Sequence, residues 1–198
     1  RKKTKFNFDI KIPKISNLEK NHKAKTYLEK RKIPIEFYKE LYYTDKFKSF
    51  VEQTLPDFKF QSENTILDEE RIIIPFINQN KDLIGFQGRS LKPKGLRYIT
   101  LKTDNDSDKF YGLHRIKWNK DLYVTEGAFD SMFIDNCIAV NDANLTISEK
   151  LLDKSKIILI YDNEPRNSEI VRRMRLAIDR NFNVVIYPMS YKQKDIND

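Results

Sequence analysis

Apolar positions along this chain follow two rhythms. Arg71–Ile77 (RIIIPFI) and Leu83–Gln87 (LIGFQ) are dense in β-branched and apolar residues and flank the polar stretch Asn78–Asp82, the pattern of a β-hairpin. Pro75 has no N–H to give to a ladder, so the first strand should run near an edge or a bulge. Upstream, helix formers dominate Leu18–Lys32, with Tyr27 and Leu28 offering an apolar face. Pro34 then interrupts before a second short helix near Glu36–Leu41. Residues 1–17 show no helical period, and Pro13 with the surrounding lysines marks an extended lead-in from which little core is expected.

After Lys120 the rhythm changes to short apolar runs alternating with helical stretches. The candidate strands are Leu122–Thr125, Ile138–Val140, Lys156–Tyr161 and Asn183–Tyr187. Such alternation favours a parallel sheet wrapped by helices. Between the last two, Ile170, Val171, Met174, Ala177 and Ile178 recur at helical spacing while Arg172, Arg173, Arg175 and Arg180 fall on other faces. The chain therefore reads as a basic lead-in over 1–17, a smaller α+β part over 18–119, and an α/β domain with a mostly parallel sheet over 120–198.

Composition narrows the class. The 198 residues are 39% hydrophobic, enough to bury a core in one large or two small domains. No run approaches the roughly eighteen apolar residues that a membrane span needs, and no secretory leader precedes the first domain, so a cytoplasmic protein with no membrane partner is expected. The single Cys137 excludes an internal disulfide, and with only His22 and His114 beside it a Cys/His zinc site is excluded too. Any metal must sit on oxygen ligands. The net charge of +8 is uneven, because residues 1–32 carry twelve Lys/Arg against three acidic residues and the remainder carries twenty-five against twenty-six. A basic arm of this kind attracts polyanions, nucleic acid first among them, although a solvated tail has the same composition. The chain does not begin with Met, and further domains upstream or downstream are expected.

Three groups of carboxylates fall at the ends of the candidate parallel strands, where open α/β sheets place their ligand sites. Glu126 follows the strand LYVT and precedes Gly127, whose missing side chain would permit a sharp turn into a helix carrying Asp130 one turn on. Asp162 ends the strand KIILIY, and Glu164 points to the same face if the backbone stays extended up to Pro165. Asp195 and Asp198 follow the last strand. Any one of these residues is equally at home as a turn-former or a helix cap. As a set they would repel one another unless a cation lay among them. Mg²⁺, with Mn²⁺ as a substitute, suits such oxygen ligands and typically adds substrate phosphates to one or two carboxylates.

The segments YVTEGAFDS (123–131) and LIYDNE (159–164) resemble the two signature motifs of the Toprim fold, shared by DnaG-type primases, type IA and II topoisomerases and some nucleases. The resemblance implies a Rossmann-like Toprim domain in which Glu126 is catalytic and helps to organise metal. It likewise implies catalytic and metal roles for Asp162 and Glu164. Glu164 departs from the family's Asp-x-Asp by one methylene. Asp130 matches the acid that follows the first motif in primases, and in YKQKDIND (191–198) Asp195 matches a third acidic segment. Upstream, AKTYLEKRKIPIEFYKEL (24–41), RIIIPFINQNKDLIGFQGRSL (71–91), LRYITLKTDN and KFYGLHRI resemble the opening of a primase catalytic core in the same order. Topoisomerases and nucleases lack these segments. The likeness runs over about residues 24–198 and leans toward the bacteriophage kind.

What the resemblance implies is a DNA primase core that makes short RNA primers on a single-stranded DNA template by metal-dependent nucleotidyl transfer. Its partners would be ribonucleoside triphosphates and a replicative helicase, in cis or in trans. Arg89, Arg97 and Lys109 occupy places where primases hold nucleotide phosphates or the template backbone, a task for which guanidinium geometry is suited. Gly85 and Gly88 read either as a close backbone approach to a ligand or as parts of the hairpin. Trp118 and other aromatics read as base-stacking groups or, for most of them, as core. Two rival readings remain at this point: a Toprim-type nuclease or topoisomerase fragment, and a nucleic-acid-binding replication module without turnover. No segment resembles the domain that would carry a topoisomerase's nucleophilic Tyr, and the Glu at 164 is the best support for the module.

Overall fold

The computed structural model describes residues 10–58, 68–92, 95–103 and 108–197. Residues 1–9 of the lead-in and the C-terminal Asp198 lie outside them. The chain forms two compact units, Arg1–Ile77 with Lys81–Ser107, and Asn78–Asn80 with Asp108–Asp198. Among the described residues no helix is long and apolar enough to cross a membrane.

The first unit is built on an antiparallel meander of four strands, β1 (Tyr42–Thr44), β2 (Arg71–Ile77), β3 (Leu83–Ser90) and β4 (Tyr98–Lys102), paired in that order. The expected hairpin is β2–β3, with Arg71 opposite Ser90 and Pro75 opposite Phe86. β1 reaches along β2 only as far as Ile73, so Pro75 lies past the end of its pairing on that side. The register shift between Phe76 and Ile77 follows at once, an arrangement that tolerates the missing donor.

Two helices belong to this unit, α1 (Lys23–Lys30) and α2 (Phe47–Thr54). α1 starts later than the composition predicts because the His22 side chain accepts a hydrogen bond from the Ala24 N–H and caps the helix there. α2 lays Phe47, Phe50 and Val51 against Ile73, Phe86 and Leu101 of the sheet, and each such buried side chain contributes roughly 1.5–3 kcal/mol. The lead-in contributes more than expected. Its Ile15 is fully buried, and residues 13–15 pair with 41–43 through Tyr43 N–H to Pro13 O at 3.0 Å and Ile15 N–H to Leu41 O at 2.8 Å. Pairing with the edge strand recruits this segment where composition shows only a basic tail.

The second unit carries an all-parallel sheet of β5 (Leu122–Thr125), β6 (Cys137–Ala139), β7 (Ile157–Ile160) and β8 (Asn183–Val184), in the order β6-β5-β7-β8. The amphipathic α3 (Ser168–Asp179), capped by the Asn167 side chain, buries Ala177 and packs Ile170 and Met174 on the core. The core also includes Phe110, Leu113 and Ile116, so this unit begins at Asp108, ahead of the boundary expected near Lys120. Trp118 packs against the same core. β8 is shorter than the Asn183–Tyr187 expected, ending at Val184 with one further bond from the Val185 N–H to Leu159 O, and Pro188 follows soon after. Together these features form an α/β fold in which β5 and β7, the two central strands, end side by side.

Candidate metal centre

β5 and β7 run parallel with Thr125 opposite Ile160, so the first residue beyond each, Glu126 and Tyr161, leaves the same end of the sheet. Glu126, Asp130, Asp162 and Asp195 line one small cleft there, with Thr125, Tyr161 and Tyr187 among its walls. Its volume is about 10 Å³, about the room a single water needs. The local chain explains the convergence. The Glu126 carbonyl accepts from the Asn141 N–H at 2.9 Å, which ties the end of β5 to the loop beyond β6. Asp130 opens a short 3-10 turn, Asp130–Phe133, and folds back over residue 127. A Cβ placed on Gly127 would stand 2.5 Å from Asp130 Oδ2. Gly127 is not among the residues of positive φ, so the glycine serves this close approach rather than the sharp turn expected of it.

Burial shifts the acids of the cleft. Burial, and then the neighbouring Asp162 carboxylate, hold the Glu126 carboxyl above its ordinary range, against a smaller pull from Arg173 and Lys194. Burial also raises Asp162, with Asp195 and Glu164 adding to it and Lys194 opposing. The Tyr187 phenol is pushed up to about 12, by burial first and then by Tyr191, Asp162, Asp130 and Asp195. Burial is the main cause in all three, and the repulsion of neighbouring acids adds to it.

Glu164 stands apart from this cleft. The backbone after Asp162 turns instead of staying extended, with the Glu164 N–H donating to the Asp162 carbonyl at 2.9 Å. The Glu164 carboxylate accepts from Lys194 Nζ at 2.8 Å and from Asn167 Nδ2 at 2.8 Å, which holds it below the ordinary carboxylate range. It lines a neighbouring open groove of about 1030 Å³ with Tyr187, Tyr191, Arg166 and Lys192. The Tyr187 and Tyr191 rings there are stacked with centroids 5.0 Å apart.

Among the described residues, no three Asp, Glu, His or Cys side chains stand close enough to grip an ion directly. Four acidic residues line the cleft and burial destabilises two of them as anions, a donor set whose chemistry suits a hard cation. Mg²⁺ commonly engages one or two carboxylates and keeps several waters. A cation there needs no tight protein cage.

The three cations picked out in the sequence fall in different settings. Arg89, in the first unit, donates from Nε to the Tyr27 hydroxyl at 2.7 Å and lies over the Tyr98 ring at 4.5 Å and the Tyr27 ring at 5.6 Å. Arg97 is exposed, and its carbonyl accepts from the Ser90 N–H at 2.9 Å. Lys109 belongs to the second unit, where its carbonyl accepts from Asn141 Nδ2 at 2.9 Å. Gly88 is explained by packing, since a Cβ there would stand 2.5 Å from the Phe47 ring and 3.0 Å from Arg71 Cδ. Gly85 likewise meets Leu101 O across the sheet. Sequence reasoning missed Lys194, Asn163, Tyr187 and Arg173. Lys194 alone carried a signal, its place next to Asp195.

An antiparallel unit followed by a parallel sheet with acids at its strand ends is the architecture of the DnaG-type primase catalytic core, and the comparisons agree. The chain has a TM-score of 0.65 against the Aquifex aeolicus primase (zinc-binding and RNA polymerase domains), at 21% identity, covering 90% of this chain and 52% of that one. It scores 0.65 against a DnaG primase catalytic domain bound to single-stranded DNA, at 15% identity, covering 94% of this chain and 71% of that one. In sequence it is 33% identical over 187 residues to the DNA primase of Enterobacteria phage T4, a match over 93% of this chain and 53% of that protein. The chain thus spans about half the length of this curated relative. No family model matches. The fold is that of a primase core, and the resemblance to primases of phage kind is borne out.

Proposed function

We propose that this chain is the catalytic core of a DNA primase, joining ribonucleotides into short RNA primers along single-stranded DNA. The observation that carries the reading is the convergence of Glu126, Asp130, Asp162 and Asp195 on one cleft at the strand ends of a primase-core fold. Similarity to the T4 primase supports it, as does the single-stranded DNA bound to a structural neighbour. The nuclease, topoisomerase and non-catalytic readings find no such support.

In this reading Mg²⁺ or Mn²⁺ would be held by Glu126 and Asp162 with help from Asp130 and Asp195, while Glu164 shares the Lys194 ammonium with Asp162. When bound, the metal supplies charge neutralisation on the nucleotide phosphates and activation of the primer 3′-hydroxyl. The chain's own residues do the positioning. The end of β5, tied to residue 141, holds Glu126 across the cleft from Asp162. Tyr187 forms one wall of the cleft. Arg89, set against two tyrosines, and the cations Arg97 and Lys109 would hold template or nucleotide phosphates, and fixed guanidinium and ammonium charge contributes most when already oriented. A replicative helicase, in cis or in trans, and a cytoplasmic setting complete the proposal.

The test is extension of an RNA primer annealed to single-stranded DNA, with ribonucleotides and Mg²⁺ or Mn²⁺. The wild-type chain should extend it only when metal is present. Glu126→Gln should lose about two orders of magnitude or more, the scale of removing a group that acts on the reacting atoms, with its melting temperature little changed. Extension by Glu126→Gln at the wild-type rate would remove this residue from the mechanism, and template cleavage in place of extension would move the reading to a nuclease.

A further inference from the structure

The residue between Asp162 and Glu164 is not idle. Asn163 donates from Nδ2 to the carbonyls of Gln193 at 2.9 Å and Tyr191 at 3.2 Å, and from its backbone N–H to Lys194 O at 2.6 Å. These bonds pin residues 191–194 against the turn that carries both acids. The Lys194 ammonium consequently lies 2.8 Å from Glu164 Oε1 and 3.6 Å from Asp162 Oδ2, with about half of its side chain open to solvent. Glu164 reaches it with a side chain one methylene longer than the Asp of the related motif.

We infer that Lys194 is a built-in counter-cation for the Asp162–Glu164 pair and sets how tightly the cleft takes a divalent ion. The inference rests on the metal-dependent reading above. An ammonium is a compact point charge that uses the same carboxylate lone pairs as a hard metal ion. While it bridges the pair, Asp162 has less to offer a metal, and a second positive charge nearby is repelled. Because the stem is flexible and partly exposed, the ammonium can swing out while Asn163 keeps the backbone, and Asp195 next to it, in place. The bare charge of the acids is thereby moderated when no metal is bound, at the cost of weaker metal binding.

Mn²⁺ binding to the purified chain, followed by the electron paramagnetic resonance signal of free Mn²⁺ and by titration calorimetry at fixed ionic strength, tests this without reference to catalysis. Lys194→Gln should bind Mn²⁺ more tightly, by up to about thirtyfold, the factor that a unit charge about 4 Å from a divalent ion gives in a water-like dielectric. Lys192→Gln removes the same charge from the same segment without touching either acid, and should bind as the wild type does. Unchanged or weaker binding by Lys194→Gln, or equal tightening in Lys192→Gln, would overturn the inference. Glu126→Gln separates this failure from that of the functional reading. If it loses Mn²⁺ while Lys194→Gln is neutral, only the counter-cation falls; if the wild type takes up no Mn²⁺, both fall.

Discussion

The two units treat their buried charges in opposite ways. In the antiparallel unit Arg71 is 1% exposed, yet Nη1 donates to Gly88 O at 2.8 Å, Nη2 donates to Leu96 O at 2.9 Å and pairs with Glu69, and the guanidinium lies over the Phe47 ring. Burial lowers its pKa and Glu69 opposes that shift, so the charge is expensive to bury and is answered nearly group by group. In the parallel unit Glu126 and Asp162 face each other across a cleft and both are raised. A buried charge whose two terminal nitrogens are both paired, as here, holds a fold together even with its Nε left without a partner. Buried carboxylates that repel one another, and that only the partly exposed Lys194 offsets, are suited to taking a cation from solution.

The largest effect that tests this contrast is Arg71→Met. Glu69 would lose its main partner and two carbonyls their donor, and breaking a buried ion pair from one side typically costs about 3–5 kcal/mol. Hydrogen exchange across β2 and β3 reads the loss within this unit, and it should be faster there while the amides of β5 and β7 are little affected. A change below about 1 kcal/mol would put the pair among ordinary surface ion pairs and remove the contrast.

Gly88→Ala comes next. The added methyl would press on the Phe47 ring, which is fully buried under α2, and on the stem of Arg71, so a loss of about 1–3 kcal/mol is expected from overpacking. Gly127→Ala adds the same methyl against Asp130 Oδ2, the far end of a side chain that can swing aside. The pair of variants should therefore separate, Gly88→Ala lowering the melting temperature and Gly127→Ala disturbing metal binding more than folding. Equal losses of stability would show that the turn after β5 is as rigid as the sheet.

How far the sequence carried this picture depended on the range of each interaction. β2 and β5 were legible because dense apolar runs mark strands locally, and the gathering of Glu126, Asp130 and Asp162 followed from their places at or just past strand ends. Long-range ties were not legible. Nothing near Arg71 in the chain announces that a charged residue opening a strand will be buried, because its partners at Gly88 and Leu96 are brought in by the meander. Ile15 lies in a basic stretch and reaches the core only through pairing with residue 41. Lys194 was passed over for the same reason, since the bonds that aim it start from Asn163, a residue about thirty positions away that reads as a spacer between two acids.

The smallest effect concerns an acid of the parallel unit that is answered in full. Glu169 on α3 accepts from Arg172 and Arg173, each at 2.9 Å, and these bonds pull its carboxyl down to about 2 from an ordinary 4.5. A carboxyl depressed on folding contributes stability that is present above its unfolded value and lost as pH falls through the folded one. The window thus runs from about pH 4.5 down to about 2. Glu126 and Asp162 act in the other direction and at higher pH, because groups raised on folding favour the folded state as pH falls through their raised values toward the ordinary ones, a gain largely complete before this window. Glu169→Gln should flatten the fall in melting temperature over this window, by a modest amount since the cluster is exposed and screened by solvent, and added salt should shrink the difference between variant and wild type further. An unchanged slope would mean that the two arginines hold Glu169 in position without stabilising the fold. The contrast between closely paired and weakly offset charge would then rest on the buried Arg71 alone.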